Sequence, residues 1–218
     1  MTMKILSTGE KIKRSRIYKG YTLKEICDDK ISVSKMSCIE NNKVIAEPWV
    51  LELISKELDI DLGYLNENVF EQVKENIEIL KANVKNEDNI AIKDEDYKTN
   101  VSYNLEVAEK YNYYDLAIEL MHMLFNFYLD KKDFENTQAV TSKYYDLYLK
   151  TSIEDNKLTY YIDMARHLYI KEDFLQASSY YRNVRKGLYS SEILNYKKII
   201  IVTYNEAACN IKLENYER

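Results

Sequence analysis

The stretch from Thr22 to Lys43 constrains the fold most, because its pattern fits two short helices joined by a tight turn. Thr22 can cap the first of these helices, and Ser32 can cap the second. In the second helix Met36 and Ile39 share one face, and the side chains that point away from it are Val33, Ser34, Lys35 and Cys38. Two capped helices in this order predict a helix-turn-helix, a motif whose second helix can enter the major groove of DNA.

The scarcity of glycine and proline extends the helical prediction to the whole chain. The 218 residues include only four glycines and one proline, and β-rich folds need both residue types in their turns. We therefore expect an all-α fold. The length fits one large domain or two small ones.

Charge is unevenly divided along the chain. Residues 1–46 hold ten lysines and arginines against five acids, although the whole chain has a formal net charge of −5. Phosphate contact needs local positive charge and not a basic protein overall. A basic N-terminal segment followed by an acidic remainder therefore favours a modular DNA-binding protein.

The second helix of the motif supplies most of the candidate DNA contacts. Small and polar side chains on its outer face can reach base edges, and Val33 can contact a thymine methyl group. Nearby cations can contact phosphates, which set affinity and salt dependence but not sequence preference. The complete predicted set is Lys13, Arg14, Thr22, Ser32, Val33, Ser34, Lys35, Ser37, Cys38 and Lys43. The alternative is a domain that has lost DNA binding and serves only for protein contact.

Apolar periodicity completes a five-helix N-terminal domain over residues 1–67. The first helix spans Ser7 to Lys19, with Ile12 facing inward, and its outer face or the edge of that face carries Lys11, Lys13 and Arg14. Pro48 suits the first turn of a fourth helix. Asp61 to Glu67 is predicted to form a short fifth helix.

A connecting segment over residues 68–96 is predicted to follow. Val69 to Val84 has apolar residues at helical spacing. Residues 85–96 are charged and poor in large apolar groups, so we expect a loop there whose acids are solvated.

Residues 97–218 contain a repeated pattern. The sequences DKKDFENTQ (130–138), IKEDFLQAS (170–178) and KLENYER (212–218) share a charged or amide turn, an aromatic residue and a helix start. Their aromatic residues, Phe134, Phe174 and Tyr216, are spaced by 40 and 42 residues. Paired helices at a fixed period indicate a tetratricopeptide-like solenoid. Residues 99–129 are also predicted to be helical, with ambiguous pairing, and we expect the chain to be the N-terminal part of a longer protein.

Aligning the repeats predicts a second binding surface. The alignment places Asn126 with Arg166, and Asp163 with Asn205, on the first helices of successive pairs. Such helices line the concave groove of a solenoid, where amide and charged side chains can hydrogen-bond the backbone of an extended peptide. Each of these four side chains could equally be a hydrated surface residue.

Three features of the N-terminal domain carry a family resemblance: the run SVSKMSCIE from Ser32 to Glu40, the turn at Gly20, and Arg16. With them the chain resembles Xre/Cro-type repressors, and more narrowly the Rgg/PlcR-like (RRNPP) peptide-responsive regulators, close to the clostridial Rst-type proteins. Asn42 replaces the glycine that usually follows the recognition helix, and it tolerates the same left-handed conformation. Cys38 lies where the family often has a basic or amide side chain.

The resemblance implies a transcription regulator that binds operator DNA as a homodimer and senses a short signalling peptide. It also implies an ion pair between Arg16 and Glu40, and asparagines on the inner repeat helices that clamp the peptide. Relatives govern quorum sensing, sporulation and virulence. The alternative from another class is a protein-interaction module whose repeats sequester a partner protein such as a response regulator.

No sequence pattern points to an enzyme, a metal site or a cofactor. Cys27, Cys38 and Cys209 are an odd number without CxxC spacing, which favours a reduced cytoplasmic location. His122 and His167 have no metal-ligand spacing. No signal-peptide pattern is present, and no apolar run is long enough to span a bilayer.

Overall fold

The computed structural model describes residues 4–27, 30–85, 94–190 and 194–213, and every regular element in these ranges is an α-helix. The all-α prediction is therefore confirmed. The chain divides into two compact units, Met1–Asp96 and Tyr97–Arg218. The helices are α1 (Thr8–Tyr18), α2 (Leu23–Cys27), α3 (Val33–Glu40), α4 (Pro48–Glu57), α5 (Leu62–Asn66), α6 (Val69–Lys85), α7 (Asp94–Lys110), α8 (Tyr114–Asp130), α9 (Phe134–Lys150), α10 (Glu154–Ile170), α11 (Phe174–Tyr189) and α12 (Tyr196–Lys212).

An apolar core in the described part of the first unit fixes the orientation of α3. Ile12 of α1, Met36 and Ile39 of α3 and Ile54 of α4 are buried in the same cluster. Full burial of a side chain of this size contributes about 1.5–3 kcal/mol. The inward face predicted for the second helix of the motif is the face that the structure buries.

α1 approaches α3 closely because Gly9 has no side chain. A Cβ atom at Gly9 would lie 2.3 Å from the backbone carbonyl oxygen of Ile39, a distance that forces the two helices apart. α3 ends at Glu40, and Asn42 then adopts the left-handed conformation with φ of 57°. Asn42 thus supplies the geometry that a glycine usually provides.

The predicted acidic loop at residues 85–96 is wrong at both of its ends. α6 continues through Lys85, and α7 already begins at Asp94. Asp94, Glu95 and Asp96 form the first turn of α7, where negative side chains are stabilised by the partial positive charge of the helix N-terminus. The rest of the predicted loop, residues 86–93, lies outside the described residues.

One turn geometry recurs at three helix junctions of the second unit. Asn112, Lys132 and Glu172 have φ of 59°, 57° and 63°, and each is the second residue after a helix. The next residue in each turn donates its backbone N–H to a carbonyl five residues earlier, as in a Schellman motif. The turn after α7 divides residues 99–129 between α7 and α8, and α8 pairs with α9. Tyr216, the third aromatic of the predicted pattern, lies outside the described residues.

The helices of the second unit pack in a progressive order. α8 packs on α9, α10 packs on both of them, and α11 packs between α10 and α12. Ala165 of α10 and Ala177 of α11 are fully buried, and their small side chains allow these two helices to approach closely. Phe125 and Thr137, which depart from the small residues of the repeat pattern, are also fully buried. This arrangement is the helical-repeat architecture predicted from the sequence.

Candidate DNA-binding surface and repeat-domain cluster

An ion pair joins α1 to the C-terminal end of α3. Arg16 donates from Nε to Oε1 of Glu40 at 2.6 Å and from Nη2 to Oε2 at 2.9 Å. A third bond runs from Nη1 to the backbone oxygen of Tyr21 at 2.9 Å. The Arg16 side chain is 12% exposed and that of Glu40 is 2% exposed. The pKa of Arg16 is raised by the hydrogen bond to Glu40, against the opposing effect of burial.

The outer face of α3 is exposed where base contact was predicted. Val33 and Ser34 are exposed, and Ser37 and Cys38 are half-buried beside them. Ser32 caps α3 by accepting the backbone N–H of Lys35 at 3.1 Å. Thr22 and Glu25 exchange hydrogen bonds that cap α2. The side-chain oxygens of Ser32 and Thr22, both predicted to contact DNA, therefore already accept hydrogen bonds at the starts of α3 and α2.

The predicted phosphate contacts differ in whether another side chain already contacts them. Arg14 and Lys43 are exposed. Lys13 donates to the side chain of Asn41 at 3.4 Å. Lys35 is 3.4 Å from the carboxylate of Glu47 and lies over the ring of Trp49 at 5.6 Å from its centroid.

Glu47 and Trp49 belong to this surface, although the sequence analysis did not single them out. Trp49 donates its indole N–H to Glu47, and this bond, followed by Lys35, lowers the pKa of the Glu47 carboxyl. The sequence signal was an acid directly before the Pro48 helix start. Glu47 offsets the charge of Lys35, so the exposed positive charge of the surface rests mainly on Arg14 and Lys43.

Lys11 is not on the outer face of α1, which corrects the sequence expectation. Its side chain is 1% exposed, and its ammonium donates to the backbone oxygens of Tyr64 and Glu67 at 2.6 and 2.9 Å. It also lies 3.2 Å from the Glu67 carboxylate and over the Tyr64 ring. These acceptors compensate a buried cation, so Lys11 holds α1 against the end of α5 and is unavailable to phosphate.

In the second unit, Asp163 of α10 is the centre of a polar cluster that also contains His122, Asn126, Tyr144 and Arg166. Asp163 is 3% exposed. Its Oδ2 lies 2.6 Å from Nδ1 of His122 and accepts the Tyr144 hydroxyl at 2.6 Å, while its Oδ1 accepts Nδ2 of Asn126 at 3.0 Å. Arg166 donates to Oδ1 of Asn126 at 2.7 Å. We call this set the Asp163 cluster.

Three of the four residues predicted to contact peptide therefore meet in the Asp163 cluster. Asp163 itself is in the interior, and both of its carboxylate oxygens already accept hydrogen bonds from the cluster, so the expectation of an open concave position does not hold for it. Arg166 is exposed and also pairs with Asp130. Asn205 is half-buried on α12, and none of the hydrogen bonds found in the described parts of the chain involves its side chain.

Burial and charge act in opposite directions on His122. Burial lowers the pKa of its imidazole, but the charge of Asp163 and the hydrogen bond to it outweigh burial and raise the pKa above its ordinary value. Burial and then the charge of Asp163 raise the pKa of Tyr144 well above its ordinary value. His122 thus carries a positive charge more readily than a free histidine, and Tyr144 stays neutral.

The described residues contain no group of three or more histidine, cysteine, aspartate or glutamate side chains placed to hold a metal ion. A search of the same residues for a helix long and apolar enough to cross a membrane finds none.

The two units thus define an all-α protein with an N-terminal helix-turn-helix and helical repeats after it. No protein-family model matches the chain, and no curated protein matches it. Two solved structures are similar to it. The first is PlcR of Bacillus thuringiensis in complex with the peptide PapR7 and DNA, at 18% identity over 97% of this chain and 75% of PlcR, with a TM-score of 0.43. The second is the apo form of the competence regulator ComR from Streptococcus vestibularis, at 13% identity over 93% of this chain and 97% of ComR, with a TM-score of 0.39.

Proposed function

We propose that this chain is a DNA-binding transcription regulator whose helical repeats bind a short signalling peptide. The observation that carries the DNA-binding part is the recognition helix. The Arg16–Glu40 pair holds α3 against α1, and the outer face of α3 at Val33 and Ser34 is exposed. Arg14 on α1 and Lys43 after α3 are exposed cations of the same unit. A rigid helix with small outward side chains and flanking positive charge suits major-groove entry and phosphate contact.

The finer parts of this proposal are that the protein works in the cytoplasm as a homodimer. A dimer would place two recognition helices on half-sites about one helical turn of DNA apart. Quorum sensing, sporulation and virulence are the processes that such a regulator would control.

We expect binding to a fragment of the protein's own promoter to depend steeply on salt. Each phosphate neutralised by a cation contributes about −0.9 to the slope of log K against log salt concentration. Reversing the charge in the double variant Arg14→Glu/Lys43→Glu should make that slope shallower by about 2 per subunit and weaken binding to all sequences alike. Fluorescence anisotropy with a labelled duplex, measured over a range of salt concentrations, gives the slope.

Lys74→Glu is the matched control, because Lys74 is exposed on α6 of the same unit and outside the proposed surface. It should leave the slope unchanged. An equal loss in the control, or an unchanged slope in the double variant, would show that this surface does not contact phosphate.

The proposed peptide site is the exposed edge of the Asp163 cluster. Arg166 at this edge and Asn205 on α12 both have donor groups without a hydrogen-bond partner among the described residues, so we assign both direct contact with an extended peptide. Asn126 donates to Asp163 and accepts from Arg166, so these two residues would position Arg166. To bind a peptide carboxylate, Arg166 would have to break its ion pair with Asp130.

We expect Arg166→Ala to weaken peptide binding by about 1.5–3 kcal/mol and Asn205→Ala by about 0.5–1.5 kcal/mol, the range for charged and neutral hydrogen bonds. A peptide selected by wild-type protein from a library of short synthetic peptides can be titrated into each variant by calorimetry. Lys186→Ala, at an exposed position of α11, is the control. Unchanged affinity in both Arg166→Ala and Asn205→Ala would place the peptide elsewhere.

A second candidate function is a protein-interaction module that sequesters a partner such as a response regulator. It is favoured by the large apolar side chains that α12 exposes, which include Tyr196, Ile200, Tyr204 and Ile211. Exposed apolar surface of this kind is common at protein interfaces. Salt-dependent DNA binding that is lost with Arg14 and Lys43 favours the regulator, and its absence favours the interaction module.

A further inference from the structure

A pocket of about 340 Å³ lies between α11 and α12, and no part of the proposed DNA or peptide surfaces lines it. Its polar lining includes Ser179, Arg182 and Asn210. Its apolar lining consists of Leu175 and Leu213. A concave site with a few convergent polar groups between apolar walls has the composition of a small-ligand site.

The amide of Asn210 has an unused donor. Asn210 is 7% exposed, and its Oδ1 accepts the hydroxyl of Ser178 at 3.2 Å. None of the hydrogen bonds found among the described residues involves its Nδ2. That nitrogen is also not sealed from solvent, because Nδ1 of His167 is the sole buried side-chain nitrogen or oxygen without a partner in the same residues. Since Asn210 lines the pocket, we infer that Nδ2 opens into it.

The pocket also has an excess of positive charge at one side. Arg182 and Arg185 both pair with the single carboxylate of Glu206, through Nε–oxygen distances of 3.2 and 2.7 Å. Burial raises the pKa of Glu206, but the two arginines outweigh burial and lower it, so the carboxylate remains charged. Two guanidinium groups on one carboxylate leave one positive charge. Arg182 lines the pocket, and Arg185 is not part of its lining.

We propose that this pocket binds a carboxylate attached to an apolar group. The guanidinium of Arg182 and Nδ2 of Asn210 would donate to the carboxylate oxygens, and Leu175 and Leu213 would contact the apolar group. A guanidinium and an amide are both donors, and hydrogen bonds to an ionised acceptor are about twice as strong as neutral ones. The C-terminal residue of a peptide and a free small carboxylic acid share this chemistry. The site is independent of the peptide surface proposed at the Asp163 cluster.

The test uses full-length, ¹⁵N-labelled protein and N-acetyl-leucine as the probe, at neutral pH and constant ionic strength. We expect a saturable shift of the Asn210 side-chain amide signal in NMR spectra, identified by its loss in Asn210→Ala. N-acetyl-leucinamide, which lacks the negative charge, should bind about tenfold more weakly or worse. A short peptide ending in leucine, with a free or an amidated C-terminus, forms the second arm. Tighter binding of the free peptide than of N-acetyl-leucine identifies a peptide C-terminus, and equal binding identifies the small acid.

Arg182→Gln should weaken the probe about tenfold or more, whereas Arg185→Gln should change it little. The two variants remove one guanidinium each from the same carboxylate, so they are matched in their effect on Glu206. Ser179→Phe provides a variant that is safe for folding, because Ser179 is exposed, and its ring should fill the pocket and abolish the shift. The proposal is overturned by absence of a saturable shift, by equal binding of acid and amide, or by equal losses in Arg182→Gln and Arg185→Gln.

Discussion

Replacing Arg16 with methionine should lower the free energy of unfolding of the N-terminal unit by about 3–5 kcal/mol. The substitution leaves the Glu40 carboxylate, which is 2% exposed, without its cation inside the unit. It also removes the donor to the backbone oxygen of Tyr21. Methionine keeps most of the apolar stem, so the loss reflects the charge and hydrogen bonds more than packing. Urea unfolding followed by the fluorescence of Trp49, the only tryptophan of the chain, measures it.

Arg14→Met is the control for this experiment, since Arg14 is on the same helix and exposed. Surface substitutions of this kind change stability by about 0.5 kcal/mol or less. A loss of about 1 kcal/mol or less in Arg16→Met would mean that the pair behaves as a surface ion pair. In that case the position of α3 would depend on the apolar core and on the close approach at Gly9 alone.

Replacing Asp163 with alanine should destabilise the repeat unit by about 1–3 kcal/mol for each buried hydrogen-bond donor that it leaves unsatisfied. The carboxylate is the acceptor for both Asn126 and Tyr144 and the counter-charge of His122. Its removal leaves the buried Tyr144 hydroxyl without an acceptor, which is costly in an apolar environment. Urea unfolding followed by far-ultraviolet circular dichroism measures the loss. The control is Asp155→Ala on the same helix, where an exposed pair with Lys198 should be worth at most about 1 kcal/mol.

The loss in Asp163→Ala should also depend on pH. The pKa of His122 is raised in the folded protein, so its contribution is complete below its unfolded pKa of about 6.5 and is lost as pH rises through the folded pKa. Asp163→Ala removes the cause of that shift. The stability difference from wild type should therefore be larger at mildly acidic pH than at mildly alkaline pH. A difference that grows with pH would contradict the charged pair.

Local sequence patterns were sufficient for most of the helices, but not for the burial of polar groups. The caps at Ser7 and Ser32 and the start at Pro48 are local signals, and the structure has helix starts at each of them. Helical periodicity could not distinguish Lys11 from Lys13, because the acceptors of Lys11 come from α5, more than 50 residues away. The turn at Asn112 was missed because it lacks the Asp–aromatic pair of the later turns.

Local sequence patterns were also insufficient to predict the contacts within the candidate sites. The pair between Arg16 and Glu40 was implied by the family resemblance. The two residues are 24 positions apart, and the spacing of residues along the sequence does not predict a contact over that distance. Repeat alignment placed Asn126, Asp163 and Arg166 on equivalent helices, but it could not show that Asp163 turns inward. Its partners His122 and Tyr144 are 41 and 19 residues away and follow no motif. The pocket at Arg182 and Asn210 forms where α11 packs against α12, and no local sequence pattern predicts that contact.

The turns at Lys132 and Glu172 are nearly identical, and each is followed by an aspartate that caps the next helix. The segment from Phe134 to Asp173, 40 residues long, therefore begins and ends at the same backbone geometry. If a second copy of this segment were inserted after Asp173, the same turn would precede and follow it. A tandem duplication in the gene could therefore add two helices without requiring a different turn between them. A chain built on this turn can therefore change its length in whole helix pairs.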